Sequence, residues 1–204
     1  MFSLKSVVVG LTALAVPAWC ITADQQAANL KTLTDKSAAL IPEANKISAT
    51  NGPLIIIGQG PYPTIIQGLV DIISTASAHI SQQDGSDQVS EGAEADKVYD
   101  AYSGFVAKHS DLMSILTTKA GLFTTVPFIG EPVAAVLRQD ESVFDAYYFG
   151  LSGLVPSKGD EIRTLGESLA KLIITATNAY QGLSTTGGIG RRGSEKRVAK
   201  VMVA

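Results

Sequence analysis

The chain has 204 residues, 16 Lys and Arg against 19 Asp and Glu, a formal net charge of −3, and 46% hydrophobic residues. Its single cysteine excludes an intrachain disulfide framework and a multi-thiolate metal site, and the acidic balance argues against nucleic acid as a partner. The length suits one domain with a sizeable core rather than several.

Residues 1–20 read as a secretory signal peptide. Lys5 supplies a positive start, residues 7–16 are apolar except for Gly10 and Thr12, and Ala18 with Cys20, or Val16 with Ala18, gives a small-x-small cleavage spacing. A run of about ten residues is too short to span a bilayer, which takes about 20, so no transmembrane segment is expected. Export would place the mature chain outside the cell, with wall association as a variant. Cys20 lies at the cut, and no Asn-x-Ser/Thr triplet marks the chain for N-glycosylation.

The body, residues 21–183, is helical in pattern almost throughout. Thr22 and Gln25 form a capping box, and Leu30, Leu33 and Leu40 recur at helical spacing with the small Ser37 between them. Pro42 is expected to kink or end this helix. Residues 54–57 are apolar between glycines and prolines and read as a buried connector. A second capping box, Thr64 with Gln67, is expected to open a helix that is apolar over most of its circumference. Residues 81–93 read as a polar loop.

Residues 95–118 then form an amphipathic helix with a stripe of Val98, Tyr102, Phe105, His109, Leu112, Met113 and Leu116. Residues 130–156 supply another, with Pro132 suited to a first turn and Val133, Val136, Leu137, Phe144, Tyr147, Tyr148 and Leu151 facing inward. Ser157 is placed to cap a last helix striped by Ile162, Leu165, Leu169, Leu172, Ile173, Ala176 and Tyr180. Residues 184–204 are glycine-rich and carry Arg191, Arg192, Lys196, Arg197 and Lys200, a flexible basic tail by composition. The expected fold is all-α, a bundle of about five amphipathic helices.

Catalytic patterns are scarce. His79 and His109 are the only histidines, and no HExxH, nucleophile elbow or phosphate-binding loop occurs. His109, Ser110 and Asp111 carry the letters of a triad, but consecutive helical residues point in different directions and cannot form a relay. Neither an enzyme nor a cofactor is expected. The apolar inventory says more. Residues 65–73 and 120–137 are apolar almost all round, as either the central elements of an ordinary bundle or the walls of a hollow one. In the hollow reading Gly121, Pro127 and Gly130 interrupt packing and leave an internal apolar cavity lined by Phe123, Phe128 and Ile129.

Three stretches carry a resemblance. GPYPTIIQGLVDIISTA (residues 60–76), KAGLFTTVPFIGEPVAAVLR (119–138) and FGLSGLVPS (149–157) resemble the fungal hydrophobic surface-binding protein A family, also known as cell-wall galactomannoproteins of the antigenic mannoprotein type. The similarity runs over residues 22–183. It implies a secreted helical domain without catalysis, for which two activities are attributed to members. Some adsorb to hydrophobic surfaces and recruit a secreted polyesterase. Others, acting as virulence factors, enclose a long-chain fatty acid such as arachidonic acid between the helices. This chain departs from the family plan in having one domain, no Ser/Thr-rich stalk and a basic tail, which favours release over wall attachment.

The expected ligand is therefore a long-chain fatty acid or another apolar molecule. The expected walls are Ile66, Val70, Ile73, Phe105, Met113, Leu116, Phe123, Phe128, Ile129, Val133 and Leu137. Gln67, His109 or Thr117 is expected near the carboxylate, from helical phase.

Overall fold

A computed structural model describes residues 21–123 and 129–185. The proposed signal peptide, Pro127, Phe128, the Phe123 side chain and the basic tail fall outside the described residues. Those described are helical, without a strand among them: α1 (Ala23–Lys46), α2 (Pro61–Gln83), α3 (Ala93–Ala120), α4 (Gly130–Leu154) and α5 (Gly159–Thr185).

Local chemistry explains most boundaries. Thr22 caps α1, its hydroxyl accepting from the Gln25 N–H at 3.1 Å. Of the two outcomes expected at Pro42, an end to the helix does not occur: α1 runs on to Lys46. The last turn survives because Ala44 and Ile47 are buried and the Lys119 ammonium donates to the carbonyls of Asn45 and Ile47 at 3.0 and 2.9 Å. Nor does Thr64 open α2, which starts three residues earlier at Pro61. Gly60, at φ 82°, makes the turn, and Pro61 and Pro63 occupy first-turn positions where no N–H donor is needed. At its far end α2 runs on to Gln83, into what composition suggested was loop.

Residues 54–57 are a second correction. They lie in a 3₁₀ helix (Gly52–Ile57) in which Leu54, Ile56 and Ile57 are 37%, 64% and 65% exposed rather than buried. With three residues per turn, one side chain in three faces the core; Gly52 and Ile55 take that face. The last helix likewise begins after a 3₁₀ turn (Pro156–Lys158) rather than at a Ser157 cap.

The helices close a ring. α1 packs on α2 and α3, α3 on α5, α5 on α4, and α4 on α2, giving the circular order α1–α3–α5–α4–α2. Glycine sets one spacing: a Cβ on Gly166 of α5 would stand 2.3 Å from Tyr148 Cγ of α4. Cross-links fix direction. Lys97–Asp24, His109–Ser37 and Lys119–Ile47 run in step, so α3 is parallel to α1; Lys36–Asp71 and Asn29–Gln82 run in opposite senses, so α2 is antiparallel to α1. One end of the ring therefore collects the exposed 3₁₀ isoleucines, the end of α3 and the start of α4. It is called the mouth below.

Candidate functional site

Helices α3 and α4 are not ring neighbours along their length; they face each other across the interior and meet through side chains. Tyr102, Phe105, His109, Met113 and Leu116 line α3, and Val133, Leu137, Asp140, Phe144 and Tyr147 line α4, all of them buried. Both stripes follow three- and four-residue spacing, which keeps one face inward over several turns.

The stripes divide the interior into two parts. Away from the mouth it is aromatic and polar. Phe105 and Phe144 lie 4.8 Å apart between ring centroids, the His109 ring is tilted against Phe144 at 5.1 Å, and Gln26 Nε2 of α1 donates to the Tyr147 hydroxyl at 3.1 Å. At mid-height His109 bridges three helices, with Nδ1 3.0 Å from Ser37 Oγ and Nε2 2.8 Å from Asp140 Oδ2. Beyond it, toward the mouth, the two stripes are aliphatic: Met113, Leu116, Val133 and Leu137, with Ile129 also buried there. Tyr62 of α2 and Tyr180 of α5 meet at this end, hydroxyl to hydroxyl at 3.2 Å.

Ser37, His109 and Asp140 have the composition of a hydrolytic triad, assembled from three helices and not from the adjacent letters at 109–111. The geometry points to a structural role. All three are fully buried, so no substrate reaches Ser37 Oγ. Ser37 also donates its one proton to Leu33 O at 2.9 Å, and must then accept from His109 Nδ1–H while Nε2 and Asp140 Oδ2 share a second proton. Asp140 Oδ1 has no protein partner. The signal for this trio was faint in the sequence: a serine where the α1 stripe calls for leucine, and an aspartate on an apolar face of α4.

Of the expected site residues, Phe105, His109, Met113, Leu116, Ile129, Val133 and Leu137 are brought together in the interior. Ile66 and Ile73 are half-buried, and Val70 is 41% exposed, so the α2 stripe of Ile66, Val70 and Ile73 does not form an interior wall. Two turns of α2 are turned by the α1 contact so that Ile65, Leu69 and Ile72 face inward instead. Ile73 borders an open groove of about 560 Å³ shared with Ala135, Arg138, Gln139, Ser142 and Val143 of α4. Gln67 is exposed, Thr117 donates to Met113 O at 2.8 Å, and both ring nitrogens of His109 are occupied. None of the three stands free to meet a carboxylate inside. Sequence reasoning missed Lys119, the half-buried cation at the mouth.

Four buried tyrosines fix the chain's response to alkali. Burial pushes Tyr62 up to about 12, against the lowering effect of its Tyr180 hydrogen bond, and burial likewise raises Tyr102, Tyr147 and Tyr180. A raised folded-state pKa means that the neutral form is favoured in the fold. That stability is present in full below the unfolded value of 10.0 and is lost as pH rises through the folded value. Stability is therefore expected to fall steeply above pH 10, by about 1.4 kcal/mol per pH unit for each tyrosine that ionises only on unfolding. Urea melts across that range check it, and Tyr147→Phe should flatten the slope.

Among the described residues no helix is long and apolar enough to cross a membrane, and no group of three or more His, Cys, Asp and Glu is placed to hold a metal. No protein-family model and no curated protein matches the sequence. The fold is similar to that in the crystal structure of AfMP4p in complex with palmitic acid, with a TM-score of 0.67 and 15% identity over 78% of this chain and 99% of that one.

Proposed function

We propose that this chain is a secreted, non-catalytic carrier that holds a long-chain fatty acid between its helices. The observation that carries the reading is the all-helical fold shared with AfMP4p, a protein crystallised with palmitic acid. The aliphatic half of the interior supports it, because each buried methylene contributes about 0.8 kcal/mol and a sixteen-carbon tail on the order of 10 kcal/mol without any charged partner. Following the family resemblance, arachidonic acid is a candidate guest and withdrawal of a host lipid a candidate role in virulence. The N-terminal charge and apolar run support export; recovery of a chain shortened by residues 1–20 from culture medium tests that.

The tail is placed inward, between Met113 and Leu116 of α3 and Val133 and Leu137 of α4. The described interior holds no Lys or Arg, so a carboxylate carried inside would lose its hydration without a charged partner. The acid head therefore stays at the mouth, beside the Lys119 ammonium, which has a third proton to give beyond those directed at Asn45 and Ile47. Native mass spectrometry with palmitate is the direct test: retention of one lipid is expected, and a chain that takes up none at micromolar ligand defeats the reading. Lys119→Met should weaken palmitate by about tenfold, the scale of one charge-assisted hydrogen bond, and leave the uncharged hexadecanol unchanged.

A second reading, adsorption to hydrophobic surfaces with recruitment of a hydrolase, is favoured by one observation. Leu54, Ile56, Ile57 and Leu122, exposed by 37% to 65%, lie at the mouth end of the ring. Depletion from solution by polyester particles tests it, with Ile56→Ser/Ile57→Ser expected to stay in the supernatant.

A further inference from the structure

A second groove lies at the opposite end of the ring from the mouth. It has a volume of about 690 Å³ and runs between the end of α2 with its following turn (Ile80, Gln83, Asp84) and the last turns of α4 (Asp145, Tyr148, Phe149). Gln83 is its anomaly. The residue is 8% exposed, yet neither its amide nitrogen nor its amide oxygen has a hydrogen-bond partner. A buried primary amide left with two unmade bonds is costly, on the order of 1–3 kcal/mol for each polar group, so the position calls for a guest that both donates and accepts.

The rest of the lining narrows the chemistry. Asp84 and Asp145 offer acceptors, the Tyr148 hydroxyl offers a donor and an acceptor, and no Lys, Arg or His lines the groove. An anionic guest is therefore disfavoured. Phe149 is 67% exposed, an unusual position for a phenyl ring, and the Arg163 guanidinium 5.8 Å from its centroid holds it in place. Gly150 brings the backbone of α4 close: a Cβ there would lie 2.9 Å from Gln83 Oε1, so the amide and the glycine face fit together only without a side chain.

We infer that this groove is a binding site for a neutral, hydroxyl-rich ligand, a saccharide unit whose vicinal hydroxyls pair with the Gln83 amide once that side chain turns outward from Gly150, and whose C–H face rests on Phe149. Each hydroxyl donates and accepts, which matches the amide's two open valences; the carboxylates of Asp84 and Asp145 take the remaining hydroxyl protons. The volume lies within the range of small-ligand clefts. The site is remote from Lys119 and from the aliphatic half of the interior, so it stands or falls independently of fatty-acid binding.

The test is an NMR titration of the isotope-labelled full chain with methyl mannoside, methyl galactoside, cellobiose and chitobiose. At least one is expected to shift the Gln83 side-chain amide pair and the Gly150 and Gly153 backbone amides, saturating with a dissociation constant of about 1 mM or below. Gln83→Leu should weaken that sugar by about tenfold or more. The surface variant Phe149→Ala, which leaves the core untouched, should weaken it too, and palmitate retention should not change in either. The inference is overturned if no saccharide moves the Gln83 signals, as when ordered water satisfies the amide, or if both variants bind like the parent. It is equally overturned if a neutral peptide moves those signals and the sugars do not.

Discussion

Asp140→Ala is expected to lower the stability of the chain by about 2–4 kcal/mol, the scale of breaking a buried hydrogen-bond network. The reason is the state it leaves behind. His109 is fully buried, held 2.8 Å from Asp140 and packed against Phe105 and Phe144, so removing the carboxyl leaves Nε2 without its partner in an aromatic pocket. A domain with a total stability of roughly 5–15 kcal/mol would lose a large share of it. Ser37→Ala should cost less, about 1–3 kcal/mol, because it leaves the Nδ1–H donor unpaired but keeps the Asp140 contact of His109. The triple replacement Ser37→Ala, His109→Phe, Asp140→Leu should recover most of the loss, since an apolar set of similar volume removes the buried polar groups together. Urea denaturation of the four proteins measures the series. An Asp140→Ala chain within about 1 kcal/mol of the parent would show that the trio is not a coupled structural unit.

The same trio marks how far the sequence could be read. Helix count, the approximate limits of α3 and α4, and the inward stripes from Phe105 to Leu116 and from Val133 to Tyr147 follow from periodicity, because each stripe alone specifies which face is buried. Which helix covers which stripe does not follow from periodicity. The pairing of Ser37 with His109 spans 72 residues and that of His109 with Asp140 spans 31, and it depends on ring order. Ring order also decided the fate of α2. Its residues 65–73 are apolar nearly all round, so its inward face was set by the Gly68–Leu40 approach, where a Cβ would lie 2.4 Å from Leu40 Cδ2. That contact turned Ile65, Leu69 and Ile72 inward and Val70 out. Turn chemistry accounts for the other misses: Pro61 outranked Thr64 as a helix start, and 3₁₀ periodicity put three apolar side chains of residues 54–57 into solvent. Glutamine at position 83 is ordinary as a letter, and only its burial without partners makes it a candidate for binding.

Leu137→Ala is expected to act in opposite directions on the empty and the lipid-bound protein. Leu116, Val133 and Leu137 are fully buried in the aliphatic half. Truncating Leu137 leaves a cavity and should destabilise the empty chain by about 2–5 kcal/mol. An acyl tail entering that half of the parent protein competes with these side chains for space, so its observed affinity is reduced by the free energy of whatever packing it disrupts. Leu137→Ala removes part of that opposition in advance. The rise in melting temperature on adding palmitate should therefore be larger in Leu137→Ala than in the parent, although the variant starts lower. Val133→Trp supplies the reverse case. An indole in the same space should cost about 1–3 kcal/mol by overpacking and reduce the palmitate shift toward zero. Thermal melts of the three proteins with and without palmitate separate the possibilities. If the tail lies elsewhere, such as the α2–α4 groove beside Arg138, the palmitate shift will be the same in all three and the interior placement fails, whereas opposite shifts in the two variants tie the lipid to the space between α3 and α4.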